Sequence, residues 1–230
     1  MHQPGRPEDL DAPLNLWVRA ATMAVAAAAG GFPDDGLLLD EDGLAFEGGG
    51  ACWWWRLRPA AGGEAVFCGQ DADAGNTHLR PVPLDVLAGL PARLGSPTLR
   101  EELGAHMLGY VYWYTEGAWH RVPYPDDVDD DGLAMSHDFL ESDGHVVEAL
   151  LDHTPERGVA AQGAVRRFLA GARACTLAPG DVSALLAALA PRLADTGERL
   201  HAARNMAART GLIGGDGLPP ALFDIRQLPG

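Results

Sequence analysis

The stretch Ala51-Cys52-Trp53-Trp54-Trp55-Arg56-Leu57-Arg58, then Pro59-Ala60-Ala61-Gly62-Gly63, then Glu64-Ala65-Val66-Phe67-Cys68, decides the fold. Aromatic and branched apolar residues lie on both sides of a run of turn formers, the pattern of a β-hairpin. Successive side chains of a strand point to opposite faces. With pairing centred near Ala60, Arg56 lies opposite Glu64, Trp54 opposite Val66 and Cys52 opposite Cys68. One face then carries Trp53, Trp55, Leu57 and Phe67, an aromatic layer suited to a core. Trp54 points the other way, either under a covering helix or as an anchor for a partner.

Working outward, Leu37–Leu39 and Leu44–Phe46 flank Asp40-Glu41-Asp42-Gly43, an earlier hairpin. Tyr110–Thr115 and Ala118–Tyr124 flank Glu116-Gly117, a later one. Three consecutive hairpins make an antiparallel meander of about six strands over residues 37–124. A helical interlude, Leu84–Leu94 and Leu99–His106 broken at Gly95-Ser96-Pro97, separates the second hairpin from the third. Before the sheet, Leu14, Trp17, Val18, Ala21, Val25 and Ala28 recur at helical spacing until Gly30-Gly31 stops them. After it, helical periods return at Val146–Leu151, Val159–Ala174, Val182–Leu193 and Glu198–Arg209. The expected class is α+β, with the N-terminal helix and a C-terminal helical block packed on the sheet. Residues 1–13 read as a flexible lead-in, 14–210 as one domain (sheet-rich over 14–125, helical over 139–210) and 211–230 as an irregular tail.

A chain of 230 residues, 47% hydrophobic, is long enough to bury a core without staples. Its 32 acidic side chains against 17 basic ones give a formal charge of −15. That balance excludes general nucleic-acid binding, which needs positive charge to displace counterions, and disfavours an anionic membrane surface. The apolar run Ala20–Gly30 follows Glu8, Asp9 and Asp11 rather than a basic leader, which reads as a cytoplasmic chain. Cys52, Cys68 and Cys175 are too few for a disulfide framework and offer no C-x-x-C zinc site, so reduced thiols are expected. Every basic residue is Arg. Without Lys there is no complete Walker A loop and no Schiff base, and there is no G-x-S-x-G elbow.

Two acidic loops stand out. Asp127-Val128-Asp129-Asp130-Asp131-Gly132 fits D-x-D-x-D-G, and over twelve residues, closing at Asp138, it resembles the loop of the EF-hand family. That resemblance implies a divalent cation such as calcium on Asp127, Asp129, Asp131 and Asp138. The twelfth position departs from the family's bidentate Glu, and Val122-Pro123-Tyr124-Pro125 replaces an incoming helix. The competing reading, a solvated acidic turn, has more support. The other loop, Gln70–His78, puts Asp71 and Asp73 two apart beyond a strand end. It is either a surface with His78 for acid–base or metal chemistry, or an Asx turn.

Two functions follow. The favoured one is an acidic intracellular protein-interaction module, of the immunity or inhibitor type, that docks a basic protein partner through Trp54, Asp71 and Asp73. It needs no catalytic residues. The alternative is a metal-dependent hydrolase, which requires the Asp71 and Asp127 loops to meet at one sheet edge.

Overall fold

A computed structural model describes residues 1–30, 36–48, 52–73, 76–136, 140–154, 158–190 and 197–214. Its centre is a six-stranded antiparallel sheet in sequence order: β1 (Leu37–Asp40), β2 (Gly43–Glu47), β3 (Trp53–Pro59), β4 (Ala65–Asp71), β5 (Tyr110–Thr115) and β6 (Ala118–His120). The described helices are α1 (Pro13–Ala28), α2 (Pro97–Gly104), α3 (Leu133–Ser136), α4 (Asp143–Asp152), α5 (Val159–Arg173), α6 (Pro179–Leu189) and α7 (Gly197–Arg209). The class is therefore α+β, as the hydrophobic periods imply, with α1 and α3 against the sheet and α4, α5 and α7 packed on α1. Among the described residues, no helix is long and apolar enough to cross a membrane.

The β3–β4 hairpin corrects the expected register. Arg56 pairs with Cys68, four positions beyond Glu64, and Trp54 pairs with Gln70. The chain reverses later than Ala60 because Gly62 and Gly63 take left-handed backbone angles (φ 76° and 78°), which glycine adopts without steric cost. A hydrogen bond from Ala60 N to Glu64 O, 2.8 Å, closes the turn. The slip is an even number of residues, so every side chain keeps its face. Trp55, Leu57 and Phe67 are fully buried in the main core, and Trp53 packs against it.

That core is closed by α1. Pro13 starts the helix where its missing N–H is not needed, and the run of Ala allows close approach on every side. A helix apolar nearly all round must be enclosed. Here α1 lies between the sheet and α4, α5 and α7. Its one buried cation, Arg19, is held by Asp11 (2.6 Å), Asp143 (2.9 Å) and Leu140 O (2.8 Å), so the charge is compensated.

The opposite face is covered over only part of its width. Val66, Cys68, Val111 and Trp113 pack under Val86, Leu94, Leu99 and Leu108, with Trp54 at the margin. Of the expected helical interlude, only α2 is a helix. Residues 84–94 form separate turns, with Val86 N bonded to Leu84 O and Leu94 N to Pro91 O. Pro83 and Pro91 remove backbone donors and Gly89 (φ 82°) reverses the chain, so an apolar period alone does not propagate a helix there. The last strand also ends early, at His120 rather than Tyr124. Pro123 and Pro125 cannot continue a ladder. Arg121 instead turns to Gly5 O (3.0 Å) and stacks on the Tyr124 ring at 3.7 Å.

Candidate functional site

The two acidic loops do meet at the end of β4. Asn76 N donates to Asp130 O (2.9 Å), Asn76 Nδ2 donates to Asp129 (2.6 Å), and Arg80 pairs with Asp127 at 2.8 Å. Gly132 (φ 84°) lies so close to Asp71 that an added Cβ would sit 2.8 Å from both its N and its Cβ.

Inside this junction the carboxylates are turned on their own chain. Asp131 is 1% exposed; its Oδ1 accepts from Gly5 N (3.0 Å) and Leu133 N (3.2 Å), and its Oδ2 from the hydroxyls of Tyr112 (2.9 Å) and Tyr124 (3.0 Å). Burial and the neighbouring Asp131 charge push both phenols far above the ordinary tyrosine range, so they remain protonated donors. Asp130 accepts from Gly132 N (2.8 Å). Burial, followed by the charges of Asp131, Asp71 and Asp129, raises its pKa despite that bond. Asp127 is held below the usual range by its hydrogen bond with Arg80. Asp71 is buried and accepts from Asp73 N (3.0 Å), an Asx turn. Asp138 lies outside the described residues. His78 is lowered by burial and by His106, with Asp71 opposing. Among the described residues, no group of three or more His, Cys, Asp or Glu is arranged to hold a metal.

Asp73 behaves differently. It is exposed and takes a hydrogen bond from the Cys52 thiol, which raises the thiol's pKa. Cys52 in turn belongs to a cleft on the open part of the second sheet face. The cleft has a volume of about 420 Å³, and Trp54 and Met107 supply its apolar surface. Register explains the polar part: Glu47, Trp54 and Gln70 form one cross-strand row on β2, β3 and β4. The next row carries Ala45, Arg56 and Cys68, and α2 lays Glu102 over it. Beyond the cleft the face stays open, with Leu38 and Asp40 exposed.

The polar atoms here are incompletely matched. Arg56 pairs with Glu102 at 3.2 Å and more loosely with Asp40 at 3.6 Å. Yet Arg56 Nε, Glu102 Oε2 and Trp54 Nε1 are buried with no hydrogen-bond partner. Burial raises the Glu102 pKa more than Arg56 and Arg58 lower it. Buried polar groups are normally paired; three of the orphaned buried atoms lie around this cleft, and others are on Asn76 and His78.

Trp54 and Asp73 therefore fall at the cleft, whereas Asp71 belongs to the acidic junction. Sequence reasoning missed Glu47, Arg56 and Glu102. The signal present was Trp54-x-Arg56-x-Arg58, a charged stripe at strand period on the face opposite the aromatic layer. No protein-family model, curated protein or solved structure matches the chain.

Proposed function

We propose that this protein is an acidic interaction module, of the immunity or inhibitor type, that docks a basic protein partner on the open half of its second sheet face. The observation that carries the reading is the cleft beside Trp54, where aromatic surface and an acidic rim occur together. Aromatic anchors bordered by complementary charge are the usual form of a recognition patch. A net charge of −15 accelerates and orients association with a cation of any size. A cytoplasmic setting goes with this reading, since Cys52, Cys68 and Cys175 are free thiols.

The hydrolase alternative draws support from the meeting of the two loops. A cation there, however, must displace the bonds that Asp127, Asp129 and Asp131 already make to Arg80, Asn76, Tyr112 and Tyr124. Thermal unfolding with and without calcium or magnesium separates the two readings. The docking account expects no change, and a rise in Tm that saturates with metal would favour the hydrolase.

The docking reading is tested by titrating the protein with a short oligo-arginine peptide. Binding at low salt that weakens about tenfold or more near 0.5 M salt is expected, because charges at an exposed rim are screened there. Absence of binding at low salt contradicts the reading.

A further inference from the structure

We infer that the cleft is a seat for a single arginine side chain of the basic partner, with Glu47 and Glu102 as its anionic walls and Trp54 as its aromatic one. The inference rests on the docking reading and adds to it the place and the chemistry of the contact. Two observations carry it.

First, the charge in the cleft is unbalanced. Glu47 and Glu102 line it together with one cation, Arg56, which already engages Glu102 through Oε1. Glu47 is exposed and makes no ion pair among the described residues. A guest cation supplies the counter-charge that Glu47 lacks and offsets the cleft's excess of negative charge.

Second, the wall is aromatic. Arg is planar and more weakly hydrated than Lys, so it stacks on an indole while its N–H groups reach carboxylates in the same plane. The molecule already uses that pairing internally, where the Arg121 guanidinium lies 3.7 Å from the Tyr124 ring centre. Lys, a compact and strongly hydrated charge, gains less from the same walls.

The test compares a short oligo-arginine peptide with oligo-lysine of equal length, on the wild type and on Glu47→Gln, Trp54→Phe and Glu148→Gln. Glu148 is exposed on α4 in the helical layer and controls for loss of charge alone. Calorimetry gives the affinities, and the indole N–H resonance of Trp54, assigned by its absence in Trp54→Phe, reports the cleft directly. The seat predicts that Glu47→Gln weakens oligo-arginine about fivefold while Glu148→Gln changes it less than about twofold. It also predicts that the Trp54 indole resonance shifts on titration, and that oligo-lysine binds about threefold more weakly than oligo-arginine. Equal effects of Glu47→Gln and Glu148→Gln with an unmoved Trp54 resonance overturn the seat, yet leave salt-sensitive docking standing. If oligo-arginine does not bind the wild type at low salt, the docking reading itself fails. Glu47 is exposed, so Glu47→Gln keeps its fold, which an unchanged Tm verifies.

Discussion

The acidic junction at the end of β4 and the cleft beside Trp54 are both negative, but they treat their carboxylates in opposite ways. At the junction Asp131 fills its four acceptor directions with Gly5, Leu133, Tyr112 and Tyr124, joining the N-terminal lead-in and β5 to one buried charge. In the cleft, Glu102 leaves one oxygen unmatched and Glu47 stands without an ion pair among the described residues. Density of acid along the chain therefore marks a structural latch, whereas the candidate docking site is marked by few charges beside an indole. A carboxylate is available for a partner only if the fold has not already satisfied it.

The largest effect should come from breaking the latch. Asp131→Ala strands two tyrosine hydroxyls and two backbone N–H groups in a buried place, and should cost about 3–5 kcal/mol in urea unfolding. Its affinity for an oligo-arginine peptide should be unchanged under native conditions. A loss below about 1 kcal/mol would mean that the latch is ornamental and that the contrast with the cleft is false.

Gly132→Ala should follow, at about 2 kcal/mol by the same measurement. It places a Cβ at φ 84° and within 2.8 Å of the Asp71 backbone nitrogen, which cannot move aside without shifting β4. Wild-type stability in Gly132→Ala would show that the two loops are separable.

A smaller effect is expected where an acid is satisfied by ion pairs at partial exposure. Burial opposes ionisation of Asp143, but hydrogen bonds from Arg173 and Arg19 outweigh it and hold its pKa below the usual value. A depressed folded-state pKa means that the contribution is complete above the unfolded value of about 3.9 and is lost as pH falls through the folded-state pKa. Asp143→Asn should thus cost about 1 kcal/mol at pH 7 and progressively less below pH 4, in chemical unfolding repeated across pH. An undiminished cost at low pH would contradict the ion-pair assignment.

The smallest effect is kinetic and lies at the cleft margin. The Cys52 thiol donates to Asp73, so Asp73→Asn should speed alkylation of Cys52 a few-fold near pH 8. Cys68, with its pKa pushed up to about 12 by burial, should stay unlabelled in both proteins until they unfold.

Much of this fold was legible because hydrophobic period and turn chemistry agree. The Trp53–Trp55 triplet places its faces correctly even though the β3–β4 register slips, since a slip of four residues preserves alternation. The period of Leu84–Leu94 misleads for the opposite reason. Its apolar residues cover a sheet from short turns, and Pro83, Gly89 and Pro91 outweigh the spacing. The junction was half legible: the sequence located Asp127–Asp131, but nothing local to it announces that Tyr112 and Gly5 will claim Asp131. The cleft was the least legible. Arg56 and Glu102 are 46 positions apart and meet only because α2 folds back across β3. Charges brought together by tertiary structure leave no motif.

The contrast between latch and cleft reduces to one paired calorimetric titration of a short oligo-arginine peptide into Glu47→Gln and Asp126→Asn at low salt. Both residues are exposed, both substitutions remove one negative charge, and Asp126 belongs to the most acidic stretch of the chain. The account predicts that Glu47→Gln weakens binding about fivefold and that Asp126→Asn leaves it within about twofold of wild type. An equal loss in both, or a larger loss in Asp126→Asn, would place the docking surface on the acidic loop and contradict the account.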